Sequence, residues 1–257
     1  MRIHAIQTGT VEIHRRQRVG ADGPLRQLRM LTDRRWTEPL PIYAWLIEHP
    51  EGLIVVDTGE TARAAQPGYY PRWHPYFRFA MRLNVTAEDE IGPQLRALGF
   101  SPGDVRWVVL THLHTDHAGG LAHFPDSEIV VTREEWEHAT GRRGRLRGYP
   151  NRHWPDWLQP TLVSAPATVT AAGDVRLLPT PGHTPGHASV TVEDGDAFVI
   201  LAGDTSYDDE MRLDGVSPDA KAAKATLERL QRLVDARGAT YLPSHDPAAP
   251  GRLQALG

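Results

Sequence analysis

Three histidines and an aspartate fall within six positions of T-H-L-H-T-D-H-A-G-G, residues 111–120. His112 and His114 stand two apart, so they point to one side while the chain stays extended. Asp116 and His117 follow one turn further on, and Gly119 and Gly120 would relieve a sharp bend. Imidazole and carboxylate without thiolate suit zinc, and also iron, manganese or cobalt. Those four side chains could serve one ion. More candidates stand downstream: His183 in P-T-P-G-H-T-P-G-H, Asp204 in L-A-G-D-T and His245 in L-P-S-H-D. A carboxylate has two oxygens, so with one bridging carboxylate the seven side chains supply four contacts to each of two ions. A lone histidine such as His183 is ordinarily a hydrogen-bonded loop residue, and the cluster at 112–117 changes its reading. His187 reads as a residue that orients His183 or its loop without touching metal. His4, His14, His49, His74, His123, His138 and His153 lack such a context and read as surface or packing residues.

The elements that must hold these residues are short strands. Tyr43–Glu48 and Leu53–Val56 flank the turn H-P-E-G and read as a hairpin. Trp107–Leu110 leads straight into the histidine cluster. Glu128–Thr132, Val175–Pro179, Ala188–Glu193, Ala197–Ala202 and Thr240–Leu242 read as further strands, with D-G-D as a hairpin turn between two of them. The N-terminus alternates like a strand. His183, Asp204 and His245 each lie just past one of these strands, as a site at one sheet edge requires. Helical spacing marks Glu88–Leu98, stopped by Gly99, and residues 219–236. In the latter, Ser217 is expected to cap, Pro218 to sit in the first turn and Gly238 to close. Its apolar stripe is Ala223, Leu227, Leu230 and Val234. Two segments read as irregular: 60–85, rich in aromatics, and 141–160, rich in Arg, Pro and Trp. Strands and helices mix along the whole length, so the expectation is one α/β domain over 1–257 with an aromatic-rich insertion at about 60–85.

Composition removes several function classes. The 257 residues are 40% apolar, enough for a sizeable core. The net charge of −4 offers no footprint for nucleic acid. The absence of cysteine excludes disulfides, thiolate metal sites and a cysteine nucleophile. No apolar run approaches the roughly 20 residues that span a bilayer, and the N-terminus lacks the apolar core of a signal peptide. A cytoplasmic protein with no membrane and no nucleic-acid partner is expected.

In their order, H-x-H-x-D-H at His112, His114, Asp116 and His117, then G-H-T-P-G-H, A-G-D and the late S-H, the motifs resemble the metallo-β-lactamase superfamily. V-V-D-T-G, with Asp57, matches that family's early aspartate. The resemblance implies an αβ/βα sandwich, two mixed β-sheets with helices on the outer faces. It assigns His112, His114 and His183 to one metal, and Asp116, His117 and His245 to another, with Asp204 bridging. Asp57 would support the metal loop without binding metal. Two divalent ions are implied, zinc first, with cobalt, manganese or iron as alternatives.

Among the family's branches, the quorum-quenching N-acyl homoserine lactonases are most similar. The bridging aspartate and the lack of cysteine set the chain apart from the true β-lactamases. Glyoxalase II-like thioesterases carry a helical domain after the last histidine, whereas this sequence runs only twelve residues past His245. Nuclease branches add a domain or arm, and the flavodiiron type replaces a ligand histidine and adds a flavin domain. The lactonases have a tyrosine three residues past the bridging aspartate, where D-T-S-Y places Tyr207. They also have an aromatic segment that helps form the acyl pocket. Tyr69, Trp73 and Phe77 in the insertion, with Met30 and Trp36 before it, are the corresponding candidates. The resemblance thus implies opening of an N-acyl homoserine lactone ring by a hydroxide held between two metals. Tyr207 would polarise the carbonyl and Asp116 would carry the proton. Hydrolysis of another lactone, ester or thioester, a di-iron oxidoreductase and a non-catalytic metal-binding domain are the alternatives. A homodimer is a family-level expectation.

Overall fold

The computed structural model describes residues 1–20 and 25–256. β1 (Arg2–Ile13) opens the chain, and α1 (Arg15–Val19) and α2 (Arg26–Leu31) lead to β2 (Leu40–Glu48) and β3 (Leu53–Val56). Then come α3 (Pro75–Phe79), β4 (Met81–Asn84), α4 (Ile91–Ala97), β5 (Val105–Val109), α5 (Thr115–Ala118), β6 (Glu128–Thr132) and α6 (Arg133–Thr140). The second half holds β7 (Thr161–Val163), β8 (Ala167–Thr168), β9 (Val175–Pro179), β10 (Ala188–Asp194), β11 (Ala197–Gly203), α7 (Ala220–Arg237), β12 (Thr240–Pro243) and α8 (Ala249–Gln254).

The strands form two mixed sheets, of order β4-β1-β2-β3-β5-β6-β7 and β12-β11-β10-β9-β8. In the first, β2 pairs antiparallel with β1 and β3, while β3, β5, β6 and β7 run parallel. The sequence sets the layers through period-two alternation. Tyr43, Trp45 and Ile47 of β2, with Ile54 and Val56 of β3, pack against Val175, Leu177, Val190 and Leu201 of the other sheet. The intervening Ala44, Leu46 and Val55 face the opposite way and meet Ile91 and Leu95 of α4, with Phe124 beyond. Phe198, Ile200 and Ala202 of β11 turn outward to Leu230 of α7. This is a helix–sheet–sheet–helix sandwich. Because both faces of these strands are covered, β2 and β3 read as unbroken apolar runs. A fully buried side chain of this kind contributes about 1.5–3 kcal/mol, and Trp45, Leu46 and Ile54 are each fully buried.

Three local expectations are corrected. α7 is capped by Asp219, whose side chain accepts from Ala222 N at 2.9 Å, and not by Ser217. Ser217 instead donates to Asp214 Oδ2 at 2.9 Å, which leaves Pro218 ahead of the helix. α4 begins at Ile91, with Glu90 as its N-cap, so the helix is shorter than 88–98. The insertion at 60–85 is not irregular throughout: it contains α3 and β4, and β4 pairs with β1 as an edge strand. Its alternation is short and half exposed, so it carries little apolar signal. Gly238, at φ 60, closes α7 as expected.

Two backbone bonds stitch the sheets together at one edge, Ala188 N to Thr111 O and Tyr43 N to Ser244 O, both 2.9 Å. The loops after β3, β5, β9, β11 and β12 gather there. Among the described residues no helix is long and apolar enough to cross a membrane.

Candidate metal centre and its cavity

β5 ends at Val109, the chain bends at Thr111, and α5 then turns it, with His117 N and Ala118 N donating to His114 O. Gly119 and Gly120 both have negative φ, −66° and −87°. Their role is therefore not a left-handed bend. A Cβ on Gly119 would sit 2.6 Å from Glu60 Oε1, and one on Gly120 2.3 Å from Thr58 O. The metal loop lies directly on the loop after β3, and only glycine permits that approach.

All the strand-end candidates meet. Ligand atoms of His112, His114 and His183 lie within 4.8 Å of one another, as do those of His112, His117 and Asp204, and those of Asp116, His117 and His245. Asp204 reaches both sides: Oδ1 is 3.2 Å from His117 Nε2 and 3.3 Å from His245 Nε2, and Oδ2 is 3.4 Å from His183 Nε2. Asp116 Oδ2 is 3.4 Å from His245 Nε2.

In His117, His245 and His112 the nitrogen turned away from the cluster has a partner elsewhere, which leaves the near lone pair free. His117 Nδ1 donates to Asp57 Oδ2 at 2.8 Å and His245 Nδ1 to Pro41 O at 2.8 Å. His112 Nδ1 meets Thr111 Oγ1 at 3.1 Å, and Asp214 Oδ2 faces His183 Nδ1 at 3.5 Å. Asp57 also accepts from Thr111 N and Oγ1, each at 2.8 Å. It does so at φ 58, a strained backbone for a non-glycine residue. His187 does not contact His183 by hydrogen bond. Its Nε2 accepts from Asp204 N at 3.1 Å and its Nδ1 meets Thr180 Oγ1 at 2.8 Å, so it fixes Asp204.

This donor set fits a metal ion. Buried without hydrogen-bond partners, His117 Nε2 and Asp204 Oδ1 point at each other. Burial, then the neighbouring imidazoles, holds His112 well below the usual histidine range. Burial, then His183, holds His114 down to about 3. At His117 and His245 burial opposes the charged form, but Asp204 and Asp116 outweigh it, with Asp57 adding at His117. His117 rises well above its usual range and His245 to about 10. Buried carboxylates thus demand positive charge where these four residues converge, and a divalent cation meets that demand.

A cavity of about 810 Å³ opens over the cluster, with His114, Asp116, His183, Asp204 and His245 at its base. Tyr207 lines it too, buried, with its ring 5.6 Å from that of His245. Burial pushes its hydroxyl well above the usual phenol range, so the proton stays on at neutral pH. Of the sequence candidates for the pocket, Met30, Trp73 and Phe77 line this cavity. Trp36 and Tyr69 are not among the lining residues. Trp36 packs edge-on against His14, 4.5 Å between rings, with the Arg82 guanidinium over its ring at 3.9 Å. Tyr69 stacks on His153 at 3.9 Å and meets Tyr70 edge-on. His74 and His138, read as surface or packing residues, do line the cavity.

Sequence reading missed two buried glutamates that clamp the metal loop. Glu60 accepts from Thr115 Oγ1 at 2.6 Å, Tyr70 Oη at 2.8 Å and Thr61 N at 2.8 Å. Burial raises its carboxyl to about 7. Glu135 accepts from Leu113 N, Tyr149 Oη and Thr184 Oγ1, joining the loops that carry His114 and His183. T-R-E-E at 132–135 resembles a capping box. Thr132 does cap α6 through Glu135 N, yet the Glu135 side chain leaves the helix for the metal loop. Gln17 and Tyr76 also line the cavity; Tyr76 belongs to the aromatic insertion without having been singled out, and Gln17 carried no sequence signal.

The family model of the metallo-beta-lactamase superfamily matches residues 37–245. An N-acyl homoserine lactonase of Bacillus thuringiensis subsp. kurstaki is 31% identical over 214 residues, 80% of this chain and 82% of the relative. A probable metallo-hydrolase of Mycobacterium tuberculosis is 35% identical over 178 residues, 63% of this chain and 56% of that one. Among solved structures, an N-acyl homoserine lactone hydrolase with N-hexanoyl-L-homoserine at its catalytic metal centre superposes with a TM-score of 0.77 at 28% identity. It covers 95% of this chain and 93% of that one. A mutant of the Bacillus thuringiensis lactonase with N-decanoyl-L-homoserine at its active site gives the same TM-score, identity and coverage. The chain belongs to the metallo-beta-lactamase superfamily and is similar in sequence and fold to its N-acyl homoserine lactonases.

Proposed function

We propose that this protein is a metal-dependent hydrolase that opens the ring of N-acyl homoserine lactones. The observation that carries the reading is the juxtaposition of His/Asp ligand groups and a tyrosine hydroxyl at the base of an apolar cavity. Similarity to the lactonases supports it. His112, His114 and His183 would hold one ion, and Asp116, His117 and His245 a second, with Asp204 shared. Two divalent ions in that set, zinc first among those that imidazole and carboxylate donors suit, would supply a hydroxide at neutral pH and Lewis acidity toward a carbonyl.

The protein's own groups do the rest. Tyr207 donates its O–H to the lactone carbonyl oxygen, and more strongly as that oxygen gains charge. As the hydroxide oxygen bonds to the carbonyl carbon, the bond to the ring oxygen breaks. Asp116 faces the cavity and accepts the nucleophile's proton at a carboxylate oxygen, then passes it to the departing ring oxygen. The product is an N-acyl homoserine. Ile13, Met30, Phe77 and Met81 offer the acyl chain an apolar wall, and Trp73 and Leu146 stand half exposed at the mouth. A cytoplasmic location and a homodimer belong to the same proposal, the latter supported by exposed Leu25, Leu28 and Phe79.

Zinc-loaded protein should be assayed under one condition against short and long acyl homoserine lactones, aliphatic lactones, a thioester, a phosphotriester and a cephalosporin. Preference for acyl homoserine lactones is the expected result. Preference for any other class overturns the reading.

A further inference from the structure

Tyr207 is one of two phenols held by a single amide. Gln17, on α1 and only 2% exposed, directs Nε2 at Tyr207 Oη and at Tyr76 Oη, both at 2.8 Å. Neither hydroxyl has another hydrogen-bond partner among the described residues. An amide NH₂ carries two hydrogens and no acceptor. Each phenol oxygen therefore accepts one hydrogen and keeps its own proton to give away. Turning the amide over would spend both phenol protons on Oε1 and bury two unpartnered N–H bonds. The observed orientation leaves only Oε1 unpartnered, and buried carbonyls tolerate that better than N–H groups do.

Gln17 is also fixed in place. Its carbonyl accepts from Gly215 N at 2.7 Å, and a Cβ on Gly215 would sit 2.2 Å from Arg16 O, so α1 lies flush on that loop. The adjacent Asp214 faces the His183 ring. Tyr76 comes from α3 in the aromatic insertion and lines the same cavity as Asp116, Asp204 and Tyr207.

We propose that Tyr76 is a specificity-determining donor that reads a second carbonyl beside the scissile one, and that Gln17 is the positioning residue that keeps both phenols donating. The assignment rests on the lactone reading above. An acyl homoserine lactone carries two carbonyls, one in the ring and one in the acyl amide, and the paired hydroxyls match them. A plain lactone has one, and binding it would leave the Tyr76 hydroxyl unpaired, a loss of about 10–100-fold by the usual penalty for a buried polar group.

The test compares two substrates on zinc-loaded protein: N-decanoyl homoserine lactone, and a γ-butyrolactone with an alkyl chain of equal length on the same ring carbon. Zinc content and Tm are measured for every variant. Tyr76→Phe should lower kcat/KM on the acyl homoserine lactone by about 10–100-fold and leave the alkyl lactone within about 3-fold. Affinity for ring-opened N-decanoyl homoserine, read by calorimetry, should weaken in parallel. Gln17→Glu is nearly isosteric but accepts both phenol protons, so it should lower kcat on both substrates by about 10²-fold. Gln17→Leu, which takes neither proton, should lose less. A packing role for Gln17 predicts the reverse order. Equal losses on both substrates in Tyr76→Phe, or wild-type activity in zinc-replete Gln17→Glu, overturn the assignment. Wild-type protein inactive on both lactones overturns the lactone reading and this assignment with it. Wild-type turnover with an unchanged substrate ratio in Tyr76→Phe overturns this assignment alone.

Discussion

The base of the cavity and its walls are built by opposite means. At the base, each side chain follows a strand in a covered sheet, and buried acceptors fix several of them: Asp57 for His117, Pro41 O for His245, His187 for the Asp204 backbone. The walls come from long connections. Met30 lies on α2, Trp73 and Phe77 in the insertion, and Leu146 on the segment after α6; Trp73 is 56% and Leu146 61% exposed. Chemistry needs positions fixed to fractions of an ångström, whereas an acyl chain needs only apolar surface of adequate size. Substitutions at the base should therefore act on kcat and metal content, and substitutions in the wall on KM and chain-length preference.

The largest effect belongs to Asp204, the carboxylate that faces both ligand groups. Asp204→Ala should abolish turnover and lower zinc content, read by elemental analysis of the dialysed protein. Retention of full zinc and activity would break the base side of the comparison. Next is Tyr207→Phe, which should lower kcat by about 10²–10³-fold with zinc content unchanged. Asp57→Asn keeps the shape of the group that orients His117 but weakens the acceptor. About 10–100-fold in metal affinity should be lost, measured by competition with a chelator. At the wall, Phe77→Ala should raise KM for decanoyl substrates about 10-fold, from the apolar surface lost, and leave kcat and zinc content unaltered.

The remaining effect concerns stability and leaves the chemistry aside. Glu60 has its carboxyl raised by burial from 4.5 to about 7 in the folded state. The folded protein thus binds the proton more tightly, so this contribution is fully present below pH 4.5 and lost as pH rises through about 7. A shift of that size corresponds to about 3 kcal/mol. Urea unfolding of metal-stripped protein at pH 4.5 and pH 8 should show this loss in the wild type, and a flatter profile in Glu60→Gln. Identical pH dependence in both proteins would remove Glu60 as the source.

The same contrast governs what could be read from sequence. The strand-end candidates were legible because metal chemistry demands particular residue types at short spacings, and covered strands declare themselves as apolar runs. Glu60 and Glu135 were not, because each is an ordinary residue in sequence, and its importance comes from a backbone brought close only by folding. T-R-E-E has the pattern of a capping box, yet its Glu135 side chain serves Leu113 N. Trp36 and Tyr69 were assigned to the pocket because aromatic composition shows that an apolar wall exists but not which rings face it. Ring packing against His14 and His153 turned them elsewhere. Gln17 and Tyr76 meet across 59 positions, a contact that no local pattern encodes.

The central claim, metal-dependent opening of an acyl homoserine lactone, is tested most directly by incubating N-decanoyl homoserine lactone with zinc-loaded protein, with chelated protein and with chelated protein given zinc again. Mass spectrometry follows the product. The account predicts a ring-opened product one water heavier, formed by the loaded protein, absent after chelation and restored by zinc. A fully zinc-loaded protein that leaves this lactone intact while hydrolysing a thioester or phosphotriester would contradict it.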